Sequence, residues 1–115
     1  LAVITYWHYP KCSKSRAGLA LIEESGADVQ TRVYLEDAPS VAELKTVQTA
    51  LGVLAIEMVR TGEKVFKELG LTKDSTEEEL LAAMAANPIL IERPIAIKGG
   101  KAVIGRPTEA IETLL

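Results

Sequence analysis

Two short β-rich runs flank a helix-length segment at the start of the chain, and this order constrains the fold more than any other feature. Residues 2–7, AVITYW, read as a first strand, and Pro10 ends it. Cys12 or Ser13 can cap a helix that continues through SRAGLALIEESG, residues 15–26. Ala17, Ala20, Leu21 and Glu24 follow helical spacing as one face, and Gly26 is a stop signal. Residues 29–35, VQTRVYL, read as a second strand in which Val29, Thr31, Val33 and Leu35 alternate with Gln30, Arg32 and Tyr34. Two strands joined through a helix form a βαβ unit, so they are expected to be parallel.

A helical middle follows. Ser40 and Glu43 have the spacing of a capping box, opening a helix over 40–52. Shorter helices fit 54–60 and 63–69, stopped by Gly62 and Gly70. Thr76 and Glu79 repeat the capping-box spacing and open a helix to about Ala86, closed by Asn87-Pro88. The acidic run Asp74 to Glu79 reads as a solvated helix start that complements the helix dipole, not as a metal site.

The last third reads as a hairpin and a terminal helix. PIAI (94–97) and AVIG (102–105) are apolar β runs around KGGK, and Gly99-Gly100 suits a two-residue turn. Residues 108–115 form the terminal helix, opened by Pro107 and Thr108. The order β-α-β, helical stretch, β-β-α is the thioredoxin-like arrangement. It predicts an α/β fold with a mixed four-stranded sheet and one domain over 1–115, carrying a helical insertion at about 40–87.

Composition narrows the function classes. About half of the 115 residues are apolar and a quarter charged, a globular balance, and the length suits one core. The longest apolar runs, ALGVLAI and LLAAMAA, fall well short of the about 20 residues a bilayer span needs. No charged-then-apolar signal segment opens the chain, and Leu1 in place of Met suggests a removed start residue. A single cysteine excludes an internal disulfide framework and points to a reducing, cytoplasmic setting. A net charge of −3 argues against general nucleic-acid binding, so an anion site here must be local. A monomer is the default for a domain of this size.

The single cysteine and single histidine lie four residues apart in WHYPKCSKSRAGLA, residues 7–20. A cysteine is nucleophilic as thiolate, and helix N-termini and nearby cations favour that form. Cys12 stands where the helix begins, and Lys11, Lys14 and Arg16 bring positive charge within a few residues. Pro-Lys before it and Ser-Lys-Ser-Arg after it make a poor setting for a core cysteine. His8 is either a loop-orienting hydrogen-bond residue or a proton carrier. One Cys and one His leave too few soft ligands for a metal. The spacing Cys-x-x-x-Arg lacks the longer loop of a cysteine-phosphatase cradle.

Arg-Pro occurs twice, at 93–94 and 106–107. A turn centred on Gly99-Gly100 pairs Lys98 with Lys101, Ile97 with Ala102, Ala96 with Val103 and Ile95 with Ile104. The same register sets Arg93 opposite Arg106. Like charges directly opposite are destabilising, so the pair invites an anion between them. Two solvated strand-end arginines, or pairs with Glu92 or Glu109, are the alternatives. Pro94 opens the third strand, where thioredoxin-like folds place a cis proline against the active cysteine, and there it would deliver Arg93 beside Cys12.

YPKCSKSR, VYLE, ERPI and GRP, in this order and spacing, resemble the glutaredoxin-dependent arsenate reductase family, which also includes redox-responsive transcription regulators of the Spx type. The resemblance spans essentially the whole chain and rests on four separate motifs. It implies reduction of arsenate to arsenite through an adduct on Cys12, with no bound cofactor, glutathione as co-substrate and glutaredoxin as protein partner. It implies that Arg60, Arg93 and Arg106 hold the substrate. Arg60 enters on the resemblance alone, because EMVRTG reads as an ordinary helix end. His8 matches the family's histidine, and Ser15, Arg16 and Pro94 are supporting residues. Ser13 and Lys14 depart from the family's Cys-Gly-Thr-Ser-Arg segment and bear on substrate preference and rate, and the chain is shorter than the best-known enzymes. An Spx-type adaptor without turnover and a glutathione-linked thiol–disulfide oxidoreductase are the alternatives. Ser15 stands where many such regulators have the second cysteine of their switch.

Overall fold

The computed structural model describes residues 3–115. Ala2, the first residue of the predicted strand, lies outside them. The described residues form two compact units, one running to Asp37 and resuming at 93–115, and one of residues 38–92.

The first unit holds a four-stranded sheet of order β2-β1-β3-β4. Strands β1 (Ile4–His8) and β2 (Val29–Val33) are parallel, with helix α1 (Ser13–Glu24) between them in sequence. Strand β3 (Ile95–Lys98) runs antiparallel to β1 and forms the hairpin with β4 (Lys101–Ile104). The pairs are Lys98–Lys101, Ile97–Ala102, Ala96–Val103 and Ile95–Ile104, the register expected from Gly99-Gly100. Gly99 has φ +60°, the left-handed geometry such a turn demands. The mixed sheet with its βαβ and ββα halves is thioredoxin-like.

One face of this sheet carries Ile4, Tyr6 and Ala96, which pack with Ile22, Ile111 and Leu114 into a core. Ile22 comes from α1, whereas Ile111 and Leu114 come from a terminal 3-10 helix, Thr108–Leu114, where the sequence had predicted an undifferentiated helix. Two other expectations are corrected. The buried face of α1 is Ser15, Gly18 and Ile22, while Ala17, Ala20 and Glu24 are exposed. Strand β2 ends at Val33, and Tyr34, expected on its polar side, is wholly buried. The α1 face turns on close approach: a Cβ at Gly18 would collide with Tyr6 Oη and lie 2.7 Å from Ile111 Cδ1.

The second unit carries α2 (Val41–Leu51), a 3-10 turn (Ala55–Met58), α3 (Lys64–Glu68), α4 (Glu77–Ala86) and a short 3-10 turn (Pro88–Leu90). Both capping boxes form. Ser40 Oγ accepts from Glu43 N–H while Glu43 accepts from Ser40 N–H, and Thr76 and Glu79 do the same. Within the acidic run, Glu77 Oε2 accepts from Gln48 Nε2 at 2.8 Å and from Ala55 N–H at 3.0 Å. That carboxylate links the start of α4 to α2 and to the 3-10 turn. Leu44, Met58, Leu80, Leu81, Met84 and Leu90 are buried. Among the described residues no helix is long and apolar enough to cross a membrane.

The crowding at Gly18 gives a stability test. Gly18→Ala is expected to cost about 1–3 kcal/mol by overpacking. Gly62→Ala, where nothing lies within 4 Å of an added Cβ, should stay within about 0.5 kcal/mol of wild type. Urea unfolding of both variants checks this, and equal midpoints would refute the close approach.

Candidate active site

Cys12 is the N-cap of α1, with extended backbone geometry and no side-chain capping bond. Its N–H donates to Tyr9 O at 2.9 Å, closing a turn over Tyr9-Pro10-Lys11, and its carbonyl accepts from Arg16 N–H at 3.0 Å. The thiol is therefore held over the open N–H groups of the first helical turn. Burial pushes the thiol pKa up, but the Ser15 and Lys14 N–H groups and the Arg93 guanidinium outweigh it. The net effect is a thiol below its ordinary range, with the thiolate favoured.

The cations beside the sulfur are not those beside it in sequence. Arg106 Nη2 lies 3.8 Å from Cys12 Sγ, and Arg93 hydrogen-bonds to the sulfur. Arg16 instead reaches back to Pro10 O at 2.9 Å, bracing the turn, and Lys11 and Lys14 are exposed. The sequence-based expectation that these three supply the charge is thus corrected; Lys14 contributes through its backbone N–H. Proximity along the chain misled because the side chains at a helix start splay outward, while the hairpin ends converge on the helix.

The hairpin geometry extends past its last ladder pair. Gly105 N–H donates to Pro94 O at 2.9 Å, and Arg106 Nε donates to Arg93 O at 2.7 Å. The two arginines are neighbours as the register required, and a backbone carbonyl ties one to the other. The Arg93-Pro94 and Arg106-Pro107 peptide bonds are both cis. A Cβ at Gly105 would lie 2.7 Å from Pro94 Cγ, so this position accepts only glycine without displacement. Arg93 is buried, and its guanidinium carbon stands 4.8 Å from the centre of the Tyr9 ring, a cation–π contact. Tyr9 was not among the expected site residues; the Tyr-Pro before the cysteine was its only signal.

Ser15 joins the pieces. Its buried hydroxyl lies 2.7 Å from His8 Nδ1 and accepts from Tyr9 N–H at 2.9 Å. Tyr6 Oη donates to Ser15 O at 2.6 Å. Burial, and then the charge of Arg16, pull the His8 pKa down, so the imidazole is neutral at neutral pH. His8 thus supports the serine that supports the loop.

Arg60 sits in the second unit. Val59 and Ile91 form an antiparallel bridge, with Arg60 N–H donating to Leu90 O and Glu92 N–H to Met58 O, both at 2.7 Å. This sets Arg60 beside Glu92: its Nη1 lies 3.1 Å from Glu92 Oε1 and its Nε 3.1 Å from Glu63 Oε2. These residues, with Val59, Thr61 and Gly62, line an open groove of about 340 Å³. Among the described residues no group of three or more His, Cys, Asp or Glu could hold a metal ion.

Replacing Arg93 with Gln should raise the Cys12 thiol pKa by removing a cation and a hydrogen bond from the sulfur. The pH dependence of iodoacetamide alkylation measures this. A midpoint at the ordinary thiol value of about 8.5 in wild type, or no upward movement in the variant, would contradict the geometry.

Comparison with known proteins shows the family. The profile of the ArsC family matches residues 7–114. An arsenate reductase of Neisseria meningitidis is 43% identical over 114 residues, spanning 97% of both chains. An arsenate reductase of Haemophilus influenzae is 42% identical over the full length of both. The solved structure of an arsenate reductase from Vibrio cholerae superposes with a TM-score of 0.95 at 44% identity, covering 99% of this chain and 98% of that one. The family profile over nearly the whole chain, the full-length relatives and the shared fold show that the chain belongs to the ArsC family.

Proposed function

We propose that this protein reduces arsenate to arsenite, with Cys12 as nucleophile and glutathione and glutaredoxin as external reductants. The observation that carries the reading is the convergence of Arg93 and Arg106 on a thiol held low by helix N–H groups. Such a site attracts an oxyanion and presents a thiolate to it.

In the first step the Cys12 sulfur attacks arsenic, an As–O bond breaks and water leaves with the thiol proton. The product is a Cys12–S–As(V) adduct. Arg93 and Arg106 neutralise the oxyanion's charge, and the N–H groups of the first turn assist. In the second step glutathione's sulfur bonds to Cys12 Sγ and the S–As bond breaks. Its electron pair stays on arsenic, reducing As(V) to As(III), and arsenite takes up the glutathione thiol proton. The two sulfurs are together oxidised to a mixed disulfide. Glutaredoxin then takes the glutathionyl group by thiol–disulfide exchange and returns the Cys12 thiol. The sequence has no second cysteine to resolve the adduct, which supports an external donor.

Arg60 joins this proposal through the family resemblance. Two carboxylates already match its charge, and an anion would compete with Glu63 and Glu92 for it. The cytoplasm, with its reducing thiol pool, is the proposed setting, and a monomer the proposed state.

NADPH consumption in a glutathione–glutaredoxin-coupled assay with arsenate tests the reading. Cys12→Ser should abolish arsenate-dependent turnover. Arg93→Ala and Arg106→Ala should each lower kcat/KM for arsenate by about 10²–10³-fold, the usual effect of losing one charge-stabilising donor. Arsenate turnover that persists in Cys12→Ser would end the proposal.

A further inference from the structure

A second concavity opens on the turn that leads to Cys12. It has a volume of about 380 Å³ and is lined by Tyr9, Pro10, Lys11, Val33, Leu35 and Glu36. That volume lies within the roughly 300–1,000 Å³ of small-molecule sites. The cleft lies beyond the carboxyl ends of the parallel strands β1 and β2, where open α/β sheets bind ligands. The three residues on one wall are the turn closed by the Cys12 N–H bond to Tyr9 O, so the sulfur-bearing residue follows directly on the cleft wall.

We propose that this cleft seats the peptide thiol that resolves the Cys12 adduct, a small zwitterion with separate carboxylate and ammonium groups, of which glutathione is the member named above. The inference rests on the arsenate reading for the need of an external thiol, and on the cleft itself for where that thiol binds. Three observations carry it. The sequence holds no second thiol, so the reductant must dock within reach of Cys12. The cleft carries one cation, Lys11, and one anion, Glu36, both exposed, which complement one carboxylate and the ammonium of such a peptide; glutathione's second carboxylate is left to solvent. Tyr9, Val33 and Leu35 also line it, are half-buried, and give apolar surface for the peptide's methylene and thiol portion. The oxyanion site and the cleft also share a residue: Tyr9 lines the cleft and carries Arg93 over its ring. A thiol seated here approaches Cys12 from the turn side, leaving Arg93 and Arg106 to the arsenic-bound oxygens. Bond formation and electron flow are those of the second step above.

The test uses the full chain and S-methylglutathione, which has the peptide's charges but no reactive thiol. Titrated into the labelled protein, it should shift the amide resonances of Tyr9, Lys11, Val33, Leu35 and Glu36. Lys11→Glu and Glu36→Lys should each weaken this binding and raise KM for glutathione by about tenfold, as loss of one charge-assisted contact does, with KM for arsenate unchanged. A dispersed amide spectrum establishes that each variant is folded. Shifts that map elsewhere, no shifts at all, or a glutathione KM that neither charge reversal moves would overturn the proposal. If arsenate is not turned over yet S-methylglutathione maps to the cleft, the arsenate reading fails and the cleft assignment stands.

Discussion

The hydroxyl of Ser15 bolts helix α1 to strand β1, and the rest of the site depends on that joint. It lies 2.7 Å from His8 Nδ1 at the end of the strand and accepts from the Tyr9 N–H at the start of the loop. The Ser15 carbonyl takes the Tyr6 hydroxyl from the same strand. Buried polar groups satisfied in this way form a stiff network, because any shift would strand a donor or acceptor out of water. Ser15 lies three residues after Cys12, so fixing it fixes the first turn of the helix and the N–H groups that face the sulfur. Gly18, one position further round the same buried face, lets the helix come close enough for the joint to form.

Much of this fold was legible because its signals are local. The capping boxes at Ser40 and Thr76, and the hairpin register around Gly99-Gly100, are set by residues a few positions apart. The register in turn places Arg93 beside Arg106 from local turn chemistry alone. The buried face of α1 was not legible in the same way. Counting apolar residues favoured Ala17, Ala20 and Leu21, yet the face that packs is Ser15, Gly18 and Ile22. A serine and a glycine carry no hydrophobic signal, and their burial is decided by Tyr6 and Ile111, distant in sequence. Tyr34 likewise sits past the end of β2, where strand alternation no longer governs which way a side chain faces. The charge around the sulfur is legible in part: the place of Pro94 at the start of the third strand brings Arg93 to Cys12, whereas Lys11, Lys14 and Arg16, near in sequence, are not the cations at the sulfur.

Arg60 presents the opposite electrostatic case. Burial lowers its affinity for its proton, and Glu63 and Glu92 more than restore it. Its guanidinium is held by two carboxylates across a short antiparallel bridge, which favours a fixed structural cation. Arg93 lies instead over the Tyr9 ring and beside the Cys12 sulfur. Three arginines that are equivalent by resemblance therefore stand in different surroundings, Arg60 between two carboxylates and Arg93 and Arg106 at the sulfur.

Two cations at one sulfur have a consequence for the proposed reaction. A thiolate and an oxyanion must occupy the site together at the moment of attack, and like charges at that distance repel. With one arginine the site would hold either anion well, and a bound oxyanion would push the thiol back toward its protonated form. With Arg93 on the sulfur and Arg106 3.8 Å from it, one cation can stay with the thiolate while the other turns to the oxyanion. The lowered thiol pKa then serves the last step as well, since a stabilised thiolate is the better leaving group when glutaredoxin attacks the mixed disulfide. The cost is a less basic and so less nucleophilic sulfur in the first step, with a Brønsted dependence of about 0.4–0.5 for thiol exchange. A site that needs its cysteine as both nucleophile and leaving group must balance the two demands, and here partial burial opposes the lowering that the N–H groups and the guanidinium produce.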